Sequence, residues 1–174
     1  MCTVILMKEK IILKDINEVP STDYLFHGEE IDLGLYSLQC GRRADSIKLW
    51  LTWKYFGDIG YEERIDRLFD LAKYAETKVN KSRLYKMISP VESLNVCFQL
   101  QPEELNESEW NAFNVKVRNK LADEGNIMVN YATINDISCI RLIVVNFNLQ
   151  KHHLDTFFED LETICNKTIK EQKN

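Results

Sequence analysis

Two places in the sequence combine residue types that could do chemistry. Arg141 interrupts Cys139-Ile140-Arg141-Leu142-Ile143-Val144-Val145, a run that is otherwise apolar after its cysteine. A guanidinium in such a run is expected to be withdrawn from bulk water, and a withdrawn cation needs an anion beside it. That anion is either an Asp or Glu of the chain, in an internal ion pair, or an anionic ligand. The second place is Gln39-Cys40-Gly41-Arg42-Arg43, a small, polar, doubly basic turn that leads into an apolar helix. Backbone N–H groups and two guanidinium groups at the positive end of a helix suit a phosphate or a carboxylate. A solvated basic pair at an ordinary helix start is the plainer account of the same residues.

The remaining polar chemistry is sparse. His27, His152 and His153 have no Cys or carboxylate partner at ligand spacing, so no metal site is expected. Five cysteines, Cys2, Cys40, Cys97, Cys139 and Cys165, are odd in number and contain no CxxC pair. They read as reduced thiols of a cytoplasmic protein. There is no Gly-rich phosphate loop, nucleophile elbow or zinc signature.

The elements that must position these groups follow from periodicity. Cys2 to Met7 is a short apolar run expected to be a buried strand, and Ile16 to Leu35, with Pro20, Gly28 and Gly34, is a loop. Ala44 to Phe56 is a helix apolar around most of its girth, expected to be buried and ended by Gly57. Tyr61 to Val79 is an amphipathic helix with Ile65, Leu68, Phe69, Ala72, Ala75 and Val79 on one stripe. Asn80-Lys81-Ser82 marks a boundary between residues 1–80 and 81–174.

Beyond it, Leu84 to Ile88 and Leu94 to Leu100 are strands, the second alternating Val96, Phe98 and Leu100 with Asn95, Cys97 and Gln99. Asn106 and Glu109 form a capping box before a helix with Trp110, Phe113, Val117 and Leu121, closed by Gly125. Strands at Ile127 to Thr133 and Ser138 to Val145 are joined by a turn at Ile134-Asn135-Asp136, and a final helix runs from Lys151 with Leu154, Phe157, Phe158, Leu161, Ile164 and Cys165 in register. The order after Leu84 is ββαββα, which makes an antiparallel sheet with both helices on one face, an α+β layer.

A chain of 174 residues is long enough for a sizeable core, and 45% apolar with 28% charged residues is ordinary for a soluble globular protein. A net charge of −5, with Lys and Arg scattered, gives no electrostatic reason to expect nucleic acid or an anionic membrane. The apolar start is too short for a signal segment, and Lys8 and Glu9 end it.

The residues Tyr24-Leu25-Phe26, Gln39-Cys40-Gly41-Arg42-Arg43-Ala44-Asp45, Lys48-Leu49-Trp50-Leu51 and Gly60-Tyr61-Glu62-Glu63-Arg64 carry a likeness. Together they resemble the group II pyridoxal-phosphate-dependent amino-acid decarboxylases, in which this stretch follows the lysine that holds the cofactor. The resemblance implies the C-terminal portion of a fold-type I enzyme. Residues 1–80 would be the end of the large cofactor-binding domain (strand, helix, helix), and residues 81–174 the small C-terminal α+β domain. It implies pyridoxal 5'-phosphate as cofactor of the complete enzyme, an amino-acid substrate and a homodimer.

In this family an Arg in an apolar strand of the small domain, followed five residues later by Asn, binds the substrate's α-carboxylate. Arg141 and Asn146 fit that spacing. By the same resemblance Cys40 and Gly41 are cofactor-side contacts, and Tyr36 stands where a mobile loop carries a proton-donating Tyr. No His-Lys dipeptide occurs in the sequence, so the cofactor lysine is expected to lie upstream of Met1 and the chain to be inactive alone. Gln39-Cys40-Gly41-Arg42 and Tyr24-Leu25-Phe26 look more like the glutamate, aspartate and cysteine-sulfinate branch than the aromatic one. The alternative is a non-catalytic partner that docks on a full-length decarboxylase, which exposure of Trp50 and Trp53 would favour.

Overall fold

A computed structural model describes residues 6–9, 12, 44–125 and 127–173. The chain forms two compact units, Met1–Tyr61 and Glu62–Asn174. Helix α1, Asp45–Lys81, carries the chain from one into the other.

In the first unit, α1 breaks at Gly57, whose φ of 69° and ψ of 179° are open almost only to glycine. The expected stop at Gly57 is therefore this break, and helical hydrogen bonding resumes directly after it. Around the break Trp53 stacks on Tyr61 with ring centroids 4.6 Å apart, and its Nε1 donates to the Asp58 carboxylate. The expected burial of this helix is not met: Ile47, Trp50 and Leu51 are each more than half exposed, and Trp53 is 46% exposed. Apolarity records what a helix gains by being covered, not whether the same chain supplies the cover. Of the strand expected over Cys2–Met7, Leu6 and Met7 are exposed and outside any strand, and Cys2 to Ile5 lie outside the described residues.

The second unit holds the rest of α1 and six further elements. These are β1 (Tyr85–Met87), β2 (Asn95–Leu100), helix α2 (Glu107–Asp123), β3 (Asn130–Ile134), β4 (Ile137–Ile143) and helix α3 (Lys151–Gln172). The sheet order is β1-β2-β4-β3, and every neighbouring pair is antiparallel. Asn135 and Asp136, both at positive φ (49° and 64°), form the two-residue turn between β3 and β4. That backbone matches the twist of a tight hairpin, and Asn and Asp tolerate it.

Strand pairing decides which side chains meet. Val96 faces Leu142 and Phe98 faces Ile140 across β2 and β4, and these join Phe113, Val117 and Leu121 of α2 and Leu154, Phe157, Phe158, Leu161 and Ile164 of α3 in one hydrophobic core. Phe98 and Phe158 lie 5.8 Å apart, centroid to centroid. Leu68, Leu71, Ala72, Ala75 and Val79 of α1 belong to the same core, which is why this half of α1 packs with the sheet and the two later helices. Of the predicted stripe, Leu68, Ala72, Ala75 and Val79 are inside and are joined by Leu71, whereas Ile65 and Phe69 are exposed. On the solvent side of that stripe, Tyr74 donates to Asp155 of α3 at 2.6 Å and Lys78 pairs with the same carboxylate at 2.6 Å. The Lys78 ammonium, and then the Tyr74 hydroxyl, hold the Asp155 carboxyl below its ordinary range.

Helix α2 starts on the predicted capping box: the backbone N–H of Asn106 donates to Glu109 Oε2 at 2.9 Å. Gly125, at φ 77°, follows its end. Asn114, fully buried, takes both backbone groups of Leu100: its Oδ1 accepts from the N–H at 2.8 Å and its Nδ2 donates to the carbonyl at 2.9 Å. Asn111, one turn earlier, accepts from the N–H of Ser138 at 2.9 Å. Two side-chain amides thus close strand groups beyond Phe98 and Ile140, the last residues paired between β2 and β4.

Candidate functional site

Arg141 lies near the end of β4, on the sheet face opposite the helices. Its direct neighbours there are Cys97 on β2 and Asn130 on β3, with Asn95 and Ile143 forming the next pair toward the end of the sheet. This follows from alternation: Ile140 and Leu142 turn into the core, so Cys139, Arg141 and Ile143 point to the other side. On that face Cys97, Gln99 and Cys139 are buried. Burial on both sides of β2 departs from the one-faced pattern its alternation predicts. Gln99 meets burial by donating to Asn111 Oδ1 at 3.0 Å and to the Ser138 carbonyl at 3.1 Å.

Arg141 is half-buried and its guanidinium contact is exposed, so the group is not withdrawn from water, because Arg141 sits where the sheet face opens toward exposed Asn95 and Ile143. The internal ion pair weighed for it is not formed: among the described residues no Asp or Glu pairs with Arg141. Its partner is the side chain of Asn95, whose Oδ1 accepts from Nε at 3.4 Å. Asn146, five residues on, is occupied elsewhere. Its Oδ1 accepts from the Asn148 N–H at 2.9 Å, a local turn. The signal for Asn95 was present in the alternation of Asn95, Cys97 and Gln99 along β2. Only the register between β2 and β4 turns that list into a neighbour of Arg141.

Tyr36, Cys40 and Gly41, with Gln39, Arg42, Arg43 and His27, lie outside the described residues. Among the described residues no three His, Cys, Asp or Glu side chains gather as metal ligands. His153 has a local role: its Nδ1 accepts from the Gln150 N–H at 3.0 Å and caps α3. Cys97, Cys139 and Cys165 are free thiols. No described helix is long and apolar enough to cross a membrane.

An antiparallel ββαββα layer, its helix-free face carrying the cationic side chains of Arg141 and, across β2, Lys86, defines the class: an α+β domain. The sequence then fixes the family. The model of the pyridoxal-dependent decarboxylase conserved domain matches residues 1–101, and the chain belongs to that family. It is 29% identical to the acidic amino acid decarboxylase GADL1 of Mus musculus over 94% of its own length and 32% of that protein's. The crystal structure of mouse CSAD in apo form superposes with a TM-score of 0.71 and 26% identity, over 90% of this chain and 34% of that one. The fold is shared, at 22% identity and a TM-score of 0.70, with Oryza sativa TDC crystallised with PLP and tryptamine, over 82% of this chain and 31% of that one. The chain spans about a third of the length of these proteins. The part it matches in the decarboxylase structures is the C-terminal portion.

Proposed function

We propose that the chain is the C-terminal part of a pyridoxal-phosphate-dependent carboxy-lyase that releases CO2 from an acidic L-amino acid, with Arg141 binding the substrate's α-carboxylate. The observation that carries this reading is the guanidinium of Arg141. It belongs to a half-buried residue, is held at Nε by a neutral amide, and is paired with no carboxylate of the described residues. A planar fork of N–H donors left in that condition matches a carboxylate in shape and charge. Arg141 would grip the group that leaves and so fix the orientation of the bond to be broken. Loss of CO2 removes the negative charge that the guanidinium recognises, which favours product release. Pyridoxal phosphate, when bound, supplies the electron sink for the pair left on the α-carbon. Cys40 and Gly41 would lie on its side of the site and Tyr36 would serve as proton donor. These three roles rest on the resemblance.

The acidic class of substrate is supported by the similarity to the acidic amino acid decarboxylase of mouse. The complete enzyme would act in the cytoplasm as a homodimer. Because the 174 residues hold no His-Lys dipeptide, the chain alone would lack the cofactor lysine and be inactive. Incubated with pyridoxal phosphate, it is expected to release no CO2 from L-glutamate or L-aspartate. Steady release that depends on Arg141 would overturn the proposed inactivity.

A second reading, a non-catalytic partner of a full-length decarboxylase, has its own support in the exposed Ile47, Trp50, Leu51 and Trp53.

A further inference from the structure

An arginine offers a carboxylate two bidentate edges, one made by Nε and one Nη, the other by Nη1 and Nη2. In this chain the first edge is taken in part. Nε of Arg141 donates to Asn95 Oδ1 at 3.4 Å. Asn130, directly across β3, spends its own Oδ1 on the N–H of Tyr131 at 2.9 Å. Among the described residues nothing claims the Nη groups.

We infer that Asn95 is a positioning residue: by holding Nε of Arg141 it presents the Nη1/Nη2 edge of the guanidinium to an incoming carboxylate. This rests on the proposed role of Arg141. The amide oxygen is suited to the task because it accepts a hydrogen bond without neutralising the cation, whereas a carboxylate at the same place would compete with the ligand for it. The strand pairing supports it, since Asn95 lies diagonal to Arg141 on the same face, and diagonal neighbours are within reach of long side chains. Asn95 is exposed, so its replacement leaves the core intact.

The test uses the full chain with 15N-labelled arginine and L-glutamate as the probe, with the Arg141 side-chain signals assigned by their loss in Arg141→Lys. In the parent chain, L-glutamate is expected to shift the Nη signals saturably, and Nε–H is expected to be protected from exchange. Asn95→Ala should remove that protection and weaken binding roughly 3- to 10-fold, the range for one lost hydrogen bond. Asn95→Asp, which keeps the shape, should weaken it more than Asn95→Ala, because its charge competes. A merely structural role for Asn95 gives the reverse order, and that order overturns the inference. Binding lost in Arg141→Lys but unchanged in both Asn95 variants also overturns it while leaving the role of Arg141 standing. Binding unchanged in Arg141→Lys, or absent from the parent chain, overturns the role of Arg141 and the inference with it. Amide spectra of each variant verify that the fold is retained.

Discussion

Burial keeps three groups of the core protonated well into the alkaline range. It pushes the thiol of Cys139 up to about 11, with the neighbouring Cys97 thiol adding to the effect. The thiol of Cys165 is pushed up to about 12, chiefly by burial and then by Glu104 and Glu162. The Tyr85 phenol is raised by burial and by Glu162, to which it donates at 3.3 Å. In the unfolded chain a thiol loses its proton near about 8.5. Below that value both states are protonated and the folded state has its full stability. Above it the unfolded state sheds protons that the folded state retains, so stability falls as pH rises toward the folded values of about 11 and about 12. Each thiol contributes at most roughly 1.4 kcal/mol per pH unit. Urea midpoints taken between neutral pH and the folded thiol range should therefore decline above the free-thiol value, and less steeply in Cys165→Ala. A flat profile would contradict the burial of these groups. The residue scale also marks a limit of the sequence. An arginine in an apolar run was legible in the sequence as the residue that could bind an anion, but its half exposure and its partner Asn95 depend on where β4 ends and what lies beside it. Neither is a property of the run.

At the scale of elements, local signals were strong from Leu84 onward. The Asn106–Glu109 box, the Asn135-Asp136 turn and the apolar stripe of α3 each state their geometry within a few residues, and the ββαββα order rests on them. The second half of α1 was less legible. An all-round mixture of Ile65, Leu68, Phe69, Leu71 and Ala72 allows two stripes, and packing in the core selects the one through Leu71. The clip between α2 and the strands was missed as well, because a buried Asn in a helix looks in sequence like any polar residue on a wet face. Asn114→Ala would leave the N–H and the carbonyl of Leu100 without their partner in a buried setting. The expected loss is roughly 2–4 kcal/mol, since each stranded buried group costs about 1–3 kcal/mol. Chemical denaturation should show the drop with little change in the denaturant slope. A loss below about 0.5 kcal/mol, the range of ordinary surface substitutions, would mean that Asn114 is not the partner of those groups.

At the scale of the whole molecule, the exposed helix of the first unit and the Arg141 guanidinium of the second, which no described carboxylate pairs, are what the proposal that this chain contributes part of a site rests on. The exposed Trp50 and the other apolar side chains of that helix were expected to be inside, and that expectation came from the same apolar pattern that marks them for covering by another surface. The sequence features that carry the decarboxylase likeness match a family model over residues 1–101, while the candidate carboxylate ligand lies beyond that span, on β4. The measurement that tests this account most directly is treatment of the purified chain with pyridoxal phosphate and borohydride, with peptide mapping of its lysines afterwards. Scattered, substoichiometric labelling that L-glutamate does not alter is the predicted result, because the chain would lack the cofactor lysine. One lysine labelled one-to-one, and protected or discharged by L-glutamate, would contradict the account and place a complete cofactor site within these 174 residues.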